Sequence, residues 1–231
     1  DGIFVIEMHY LPDMLRQNSF DACCHEHLEY YALRPLENLL ARHGLEIFDA
    51  ERNAINGGSF RSYIRHKGSA LGSNRSGVSE RVEALRLMES ALGLDTRRPY
   101  EAFADRIHFL REKLYKFIKS ETELGKKVYV YGASTKGNTL LQFCNLDYRL
   151  VPVAAERNPM KWGKRTIATN IPIISEEEAR ARKPDYFLVL PWHFLEEFKE
   201  READYLKAGG KFIVPLPEPR IVGHNGEVRL V

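Results

Sequence analysis

From Lys126 onward, short apolar runs alternate with stretches long enough to form helices, and this alternation limits the possible folds more than any other feature of the chain. The runs are Val128-Tyr129-Val130-Tyr131, Leu150-Val151-Pro152-Val153-Ala154, Ile171-Pro172-Ile173-Ile174, Tyr186-Phe187-Leu188-Val189-Leu190 and Lys211-Phe212-Ile213-Val214. A strand that is apolar on every residue is covered on both faces, and strands joined through helices run parallel. Residues 126–231 are therefore expected to form a Rossmann-like, mostly parallel α/β sheet.

Upstream the pattern differs. Gly2 leads into Ile3-Phe4-Val5-Ile6, an unbroken apolar run that predicts a buried parallel strand whose sheet neighbours precede it, as in a fragment of a larger protein. A short helix is expected over 11–15, and Leu36, Leu39 and Leu40 predict a second that stops before Gly44. Residues 45–50 and 59–66 read as a hairpin joined through Asn56-Gly57-Gly58, since these residues tolerate positive φ. In its second strand Arg61, Tyr63 and Arg65 share a face, which is either solvated or meets an anion. Residues 67–77 are rich in Gly and Ser and read as a flexible connection. Two helices follow, the second over about 99–124 with an apolar stripe of Phe103, Ile107, Leu110, Leu114 and Phe117. The expected division is 1–66, a strand, a polar segment and a hairpin; 67–125, a linker with two helices; and 126–231, the Rossmann-like domain.

Composition narrows the partners. Among 231 residues, 34 Lys and Arg face 32 Asp and Glu, and the basic residues are interleaved with the acids. A net charge of +2 with no basic run argues against a nucleic-acid or membrane partner, and no stretch approaches the ~20 apolar residues of a membrane span. The three cysteines, Cys23, Cys24 and Cys144, make no disulfide framework, so a reducing, cytoplasmic setting is expected.

Gly132-Ala133-Ser134-Thr135-Lys136-Gly137-Asn138 lies between the first strand of the Rossmann-like region and its first helix. At such a turn one Gly reverses the backbone, a second lets helix and strand approach, and free N–H groups attract an anion. The segment matches neither GxGxxG nor a P-loop. One reading gives Gly132, Ser134, Lys136, Gly137 and Asn138 a phosphate and Glu156, after the second strand, a ribose hydroxyl. The other makes the loop a tight turn, Lys136 a solvated charge and Glu156 a cap. Trp192 and His193 follow the fourth strand at the edge where open α/β sheets bind ligands. They either contact a base or sugar, or cover the sheet edge and cap a helix. Lys161 and Lys164 read as surface charges.

His25-Glu26-His27, preceded by Cys24, is the other concentration of reactive groups. Two histidines at HxH spacing do not complete a zinc site, and HExxH is absent. A histidine held within hydrogen-bond reach serves as a general base near neutral pH, with Glu26 to orient it or stabilise its cation. The remaining reading is structural, with these side chains bonded to backbone.

Five segments together resemble one family. The run from Phe20 through Cys24-His25-Glu26-His27 to Tyr31, Asn56-Gly57-Gly58-Ser59-Phe60-Arg61, the 132–138 loop, Glu156-Arg157-Asn158-Pro159-Met160-Lys161-Trp162-Gly163 and Leu190-Pro191-Trp192-His193-Phe194 look like the C-terminal region of the SAM-dependent sugar C-methyltransferases. Members of that family carry a zinc-binding domain, a SAM-binding domain and a Rossmann-like domain, and methylate a carbon next to the keto group of nucleotide-linked deoxysugars. The resemblance implies that residues 1–66 begin with the tail of the SAM-binding domain. It implies His27 as the base, assisted by Glu26, with His25 and Cys24 in the same segment. The 132–138 loop, Glu156, Trp192, His193 and Arg61 would serve a nucleotide-linked keto sugar. S-adenosylmethionine would be bound mainly by sequence upstream, no metal is expected in this chain, and the chain alone would be inactive. Cys24 stands where the best-described members have Tyr, and Ile167-Ala168-Thr169-Asn170-Ile171 replaces a Pro-Gly turn. The alternative is a non-catalytic nucleotide-binding module with a structural His-Glu-His segment; a nicotinamide dehydrogenase domain has only the fold in its favour.

Overall fold

The computed structural model describes residues 2–69 and 78–230. The Gly- and Ser-rich connection expected over 67–77 lies, from residue 70 on, outside the described residues. The chain forms two compact units, one of Asp1–Gln17 with His27–Ala104 and one of Asn18–Glu26 with Asp105–Val231.

The first unit is built on β1 (Phe4–His9), α1 (Leu11–Arg16), α2 (Leu33–Ala41), β2 (Leu45–Asn53), β3 (Ser59–His66) and α3 (Glu80–Leu92). Its three strands lie in the order β1-β3-β2, antiparallel throughout. This corrects one expectation: the first strand is neither parallel nor buried, and one of its neighbours is β3, downstream. Glu7 stands opposite Arg61 in the register, and Arg61 Nε donates to Glu7 Oε2 at 2.8 Å, an opposite-charge cross-strand pair that favours this pairing. Phe4 is 54% exposed, so the apolar run reflects a sheet face left open among the described residues. The Arg61 face of β3 meets carboxylates: Tyr63 bonds to Glu51, and Arg65 Nε donates to Glu46 at 2.8 Å.

Tyr10, Leu33, Leu36, Leu40, Ile47, Phe60, Ile64 and Val82 make this unit's core, and each large side chain buried there contributes roughly 1.5–3 kcal/mol. The residue before α2 is Ala32, which offers no side-chain cap. Glu89 of α3 takes that role, accepting from the N–H groups of Leu33 at 2.6 Å and Arg34 at 3.2 Å and from the Tyr10 hydroxyl at 2.7 Å. A buried acid on one helix thus completes the start of another.

α4 (Arg98–Glu123) carries the predicted stripe, and its buried side chains are Leu110, Leu114 and Ile118. The second unit continues with β4 (Val128–Tyr131), α5 (Thr135–Phe143), β5 (Ala154–Glu156), β6 (Ile173–Ser175), α6 (Glu176–Ala181), β7 (Tyr186–Val189), α7 (Leu195–Arg201), α8 (Ala203–Lys207), β8 (Lys211–Val214), β9 (Arg220–Gly223) and β10 (Gly226–Arg229). Its seven strands run in the order β10-β9-β8-β7-β4-β5-β6. From β6 to β8 all pairs are parallel, while β9 and β10 add an antiparallel edge. The mixed α/β architecture with a mostly parallel Rossmann-like sheet agrees with the sequence pattern. Every residue of β4 and β7 is buried, as a two-sided parallel strand requires. No described helix is long and apolar enough to cross a membrane.

Candidate active site

The order β6-β5-β4-β7-β8 reverses direction at β4: the chain moves outward from β4 to β6, then crosses back to β7 on the other side. Between the carboxyl ends of β4 and β7 the loops diverge, and open sheets of this kind bind ligands at that switch point. A crevice of about 410 Å³ lies there, lined by Gly132, Ser134, Glu156, Arg157, Lys161, Glu176, Pro191, Phe194, Glu197 and Arg201 and by the buried Tyr131 and Phe198.

The glycines of the 132–138 loop follow from packing. Gly132 has φ +84°, and a Cβ there would stand 2.6 Å from Pro191 Cγ. A Cβ on Gly137 would stand 2.6 Å from Leu190 Cδ1, so the second glycine brings α5 against the end of β7. Ser134 caps α5 by accepting from the Gly137 N–H at 3.0 Å.

Both oxygens of Glu156 are occupied. Oε2 accepts from the Ala133 N–H at 2.8 Å, Oε1 from the Asn158 N–H at 2.9 Å, and Lys161 Nζ lies 3.4 Å from Oε2. Lys161 also donates to the Ala133 carbonyl at 2.8 Å, so this lysine braces the loop instead of standing in solvent. Asn138 is engaged as well: its amide donates to the Ser134 carbonyl at 3.3 Å and its oxygen accepts from the Ile167 N–H at 3.2 Å. Of the residues expected to meet substrate here, Gly132, Ser134 and Glu156 line the crevice, while Lys136, Gly137, Asn138, Trp192 and His193 do not.

Trp192 is 7% exposed, and its indole N–H donates to Asp21 Oδ2 at 3.0 Å. Asp21 belongs to a 3-10 turn, Phe20–Ala22, that packs on α5, with the Phe20 ring 4.7 Å from that of Phe143. Burial pushes the Asp21 carboxyl above its usual range; the Trp192 hydrogen bond and the charge of Lys136 pull the other way. The rest of this segment follows α5: Thr139 Oγ1 donates to the Cys23 carbonyl at 3.3 Å, and Thr135 Oγ1 to Glu26 Oε1 at 3.2 Å. His25 is largely exposed, its Nε2 4.0 Å from Glu26 Oε1, and Cys24 is half-buried. The first half of the His-Glu-His segment is therefore held on the helix that starts at the glycine-rich loop.

His27 belongs to the first unit, where it is half-buried with its ring edge-on to that of His9, centroids 6.4 Å apart. Arg61 lies on the same unit's sheet, paired with Glu7. Sequence reasoning did not single out His9, Asp21, Thr135, Arg157 or Phe194. Asp21 had a usable signal, an acid set between Phe20 and Ala22, whereas Thr135 and Phe194 carried none apart from their place in the motifs.

Residues 54–217 match the family model for the C-methyltransferase C-terminal domain. The chain belongs to this family. The resemblance drawn from the five motifs thus holds at the level of the family, and the matched span begins after the His25-Glu26-His27 segment, so it rests on β3 and the Rossmann-like sheet. The chain is also 35% identical over 222 residues to the C-methyltransferase NovU of Streptomyces niveus, an alignment covering 96% of this chain and 52% of that protein. This C-methyltransferase C-terminal region therefore spans about half the length of the relative it matches.

The described residues do not fit a site for the methyl donor that such a family implies. Among the described residues the first unit has no glycine-rich turn from a parallel strand into a helix, and in the second the acid after β5 spends both oxygens on its own loop.

Proposed function

We propose that this chain is the acceptor-binding and proton-abstracting part of a C-methyltransferase acting on a carbon next to the keto group of a nucleotide-linked sugar. His27 is the base, Glu26 its partner, and the Rossmann-like sheet takes the nucleotide. Residues 1–66 begin with the tail of the donor-binding domain, 67–125 link, and 126–231 hold the acceptor. The setting is cytoplasmic, in keeping with three cysteines that form no disulfide.

The observation that supports this reading most is the bond from Thr135 to Glu26, because it holds the residue next to the proposed base in sequence on the first turn of α5. A base is useful only if fixed with respect to its substrate, and hydrogen-bond reach is about 2.6–3.2 Å. His27 takes the acidic proton next to the carbonyl; Glu26, on the preceding residue, balances the charge that the imidazole gains. A base of this kind is worth roughly 10²- to 10⁴-fold in rate. Methyl transfer needs S-adenosylmethionine, which in this reading is bound by sequence outside the chain. Gly132, Glu156 and Lys161 shape the crevice.

Proton abstraction is separable from methyl transfer. The complete enzyme, given a nucleotide-linked keto sugar in deuterated water without methyl donor, is expected to exchange the hydrogen on the acceptor carbon. His27→Ala should slow that exchange at least about a hundredfold. Exchange by the variant at the parent rate removes His27 as the base and leaves a nucleotide-binding module.

A further inference from the structure

His27 is half-buried, lies outside any helix or strand, and among the described residues no hydrogen bond or ion pair reaches its ring. A histidine base ordinarily has its ring fixed by a hydrogen bond to the nitrogen that does not take the proton. Here the specific contact of the His27 ring is with another ring, that of His9, at a centroid separation of 6.4 Å and an interplanar angle of 64°. Edge-to-face pairs attract over separations of about 4.5–7 Å.

His9 can fix a neighbour because it is itself fixed. It ends β1, opposite Ser59 of β3. The next residue, Tyr10, is wholly buried and donates its N–H to the Gly58 carbonyl at 3.1 Å and its hydroxyl to Glu89 at 2.7 Å. The chain beyond His27 returns to the same place: Tyr31 pairs with Tyr10 in a parallel bridge, and its carbonyl accepts from the Leu11 N–H at 2.9 Å. That anchor alone does not orient the base, since the four residues from His27 to Tyr31 can span about 13 Å.

From this we infer that His9 is a positioning residue for the proposed base, its imidazole setting the plane in which the His27 ring meets the acceptor carbon. The inference rests on His27 as the base and adds a residue that none of the five motifs contains. Misplacing a reacting group by about 1 Å can cost on the order of a hundredfold in rate, so a ring left to turn freely is a poor base.

The test gives the complete enzyme a thymidine diphosphate-linked keto-deoxyhexose in deuterated water without methyl donor and follows exchange next to the carbonyl by NMR as the sugar concentration is varied. His9→Ala is expected to lower the exchange rate at saturation about ten- to a hundredfold, with KM within about twofold of the parent. His9→Phe, which keeps an aromatic ring but no ring nitrogen, should restore that rate to within about threefold. A second readout needs no sugar: the carbon-bound ring protons of His27, identified by their loss in His27→Ala, should lose their ring-current shift in His9→Ala and keep one in His9→Phe. Exchange by His9→Ala at the parent rate, where His27→Ala is slow, overturns the positioning role and leaves His27 as the base. Equal losses in His9→Ala and His9→Phe overturn it too, because the nitrogens of His9 would then be what matters. No exchange by the parent, or undiminished exchange by His27→Ala, removes both readings together.

Discussion

Replacing Gly132 by Ala tests how the glycine-rich loop is held, because two costs coincide there and each can be measured alone nearby. At φ +84° a side chain costs about 1–2 kcal/mol in backbone strain. The new Cβ would also stand 2.6 Å from Pro191 Cγ and 2.7 Å from its Cδ, both parts of a rigid ring, and such overpacking costs about 1–3 kcal/mol. The sum is roughly 2–5 kcal/mol. Gly163 has φ +75° with nothing within 4 Å of a Cβ, so Gly163→Ala carries the strain alone. Gly137 lies in α5 with an added Cβ 2.6 Å from Leu190 Cδ1, so Gly137→Ala carries the packing alone, offset by up to about 1 kcal/mol of helix propensity. Both tryptophans, Trp162 and Trp192, belong to the second unit, so their fluorescence in a urea titration reports its unfolding. Gly132→Ala should lose the most stability. A loss no greater than that of Gly163→Ala would mean that Pro191 gives way, and the packing account of the loop would be refuted.

Trp192→Phe removes the donor to a buried carboxyl and should cost about 1–3 kcal/mol in the same urea titration. Because burial raises the Asp21 pKa, the folded state holds this proton more tightly than the unfolded chain. Its contribution is full below the ordinary aspartate range and is lost as pH rises through the raised value; Asp21→Asn should flatten urea midpoints over that window, and an unchanged pH profile would count against a raised pKa. Burial also pushes the Cys144 thiol up to about 12, whereas Cys23 is exposed. Iodoacetamide at neutral pH should therefore modify Cys23 in the native protein and Cys144 only in urea, as peptide mass spectrometry would reveal.

The second unit was legible because its strands are apolar on every residue, which leaves a parallel, two-sided sheet as the way to bury them. The first strand misled for the same reason. Ile3-Phe4-Val5-Ile6 has the composition of a buried parallel strand, but pairing is fixed by the partner, and the Glu7–Arg61 contact across β1 and β3 lies 54 positions apart in sequence. Helix α2 shows the same limit: Ala32 gives no start signal, since its cap is Glu89 on another helix. The hairpin β9–β10 escaped notice because β10 is exposed along its whole length and has no periodicity to read. At the site, glycine positions and the acid after β5 were visible in the sequence; what each side chain bonds to was not. Glu156 and Lys161 differ from free site residues only in contacts to Ala133 and Asn158 that no local pattern announces.

That commitment of Glu156 also explains why the loop departs from a dinucleotide fingerprint. A loop that offers its N–H groups to a pyrophosphate must leave them free, and here the Ala133 N–H is taken by a carboxylate of the same unit. A phosphate approaching that N–H would meet negative charge, damped but not removed by Lys161 at 3.4 Å from the same oxygen. The glycines then serve shape, with Gly132 fitted to Pro191 and Gly137 to Leu190. Arg157 follows Glu156 directly in sequence and points to the same crevice, so the turn after β5 carries both the acid that closes the loop and the base that remains open.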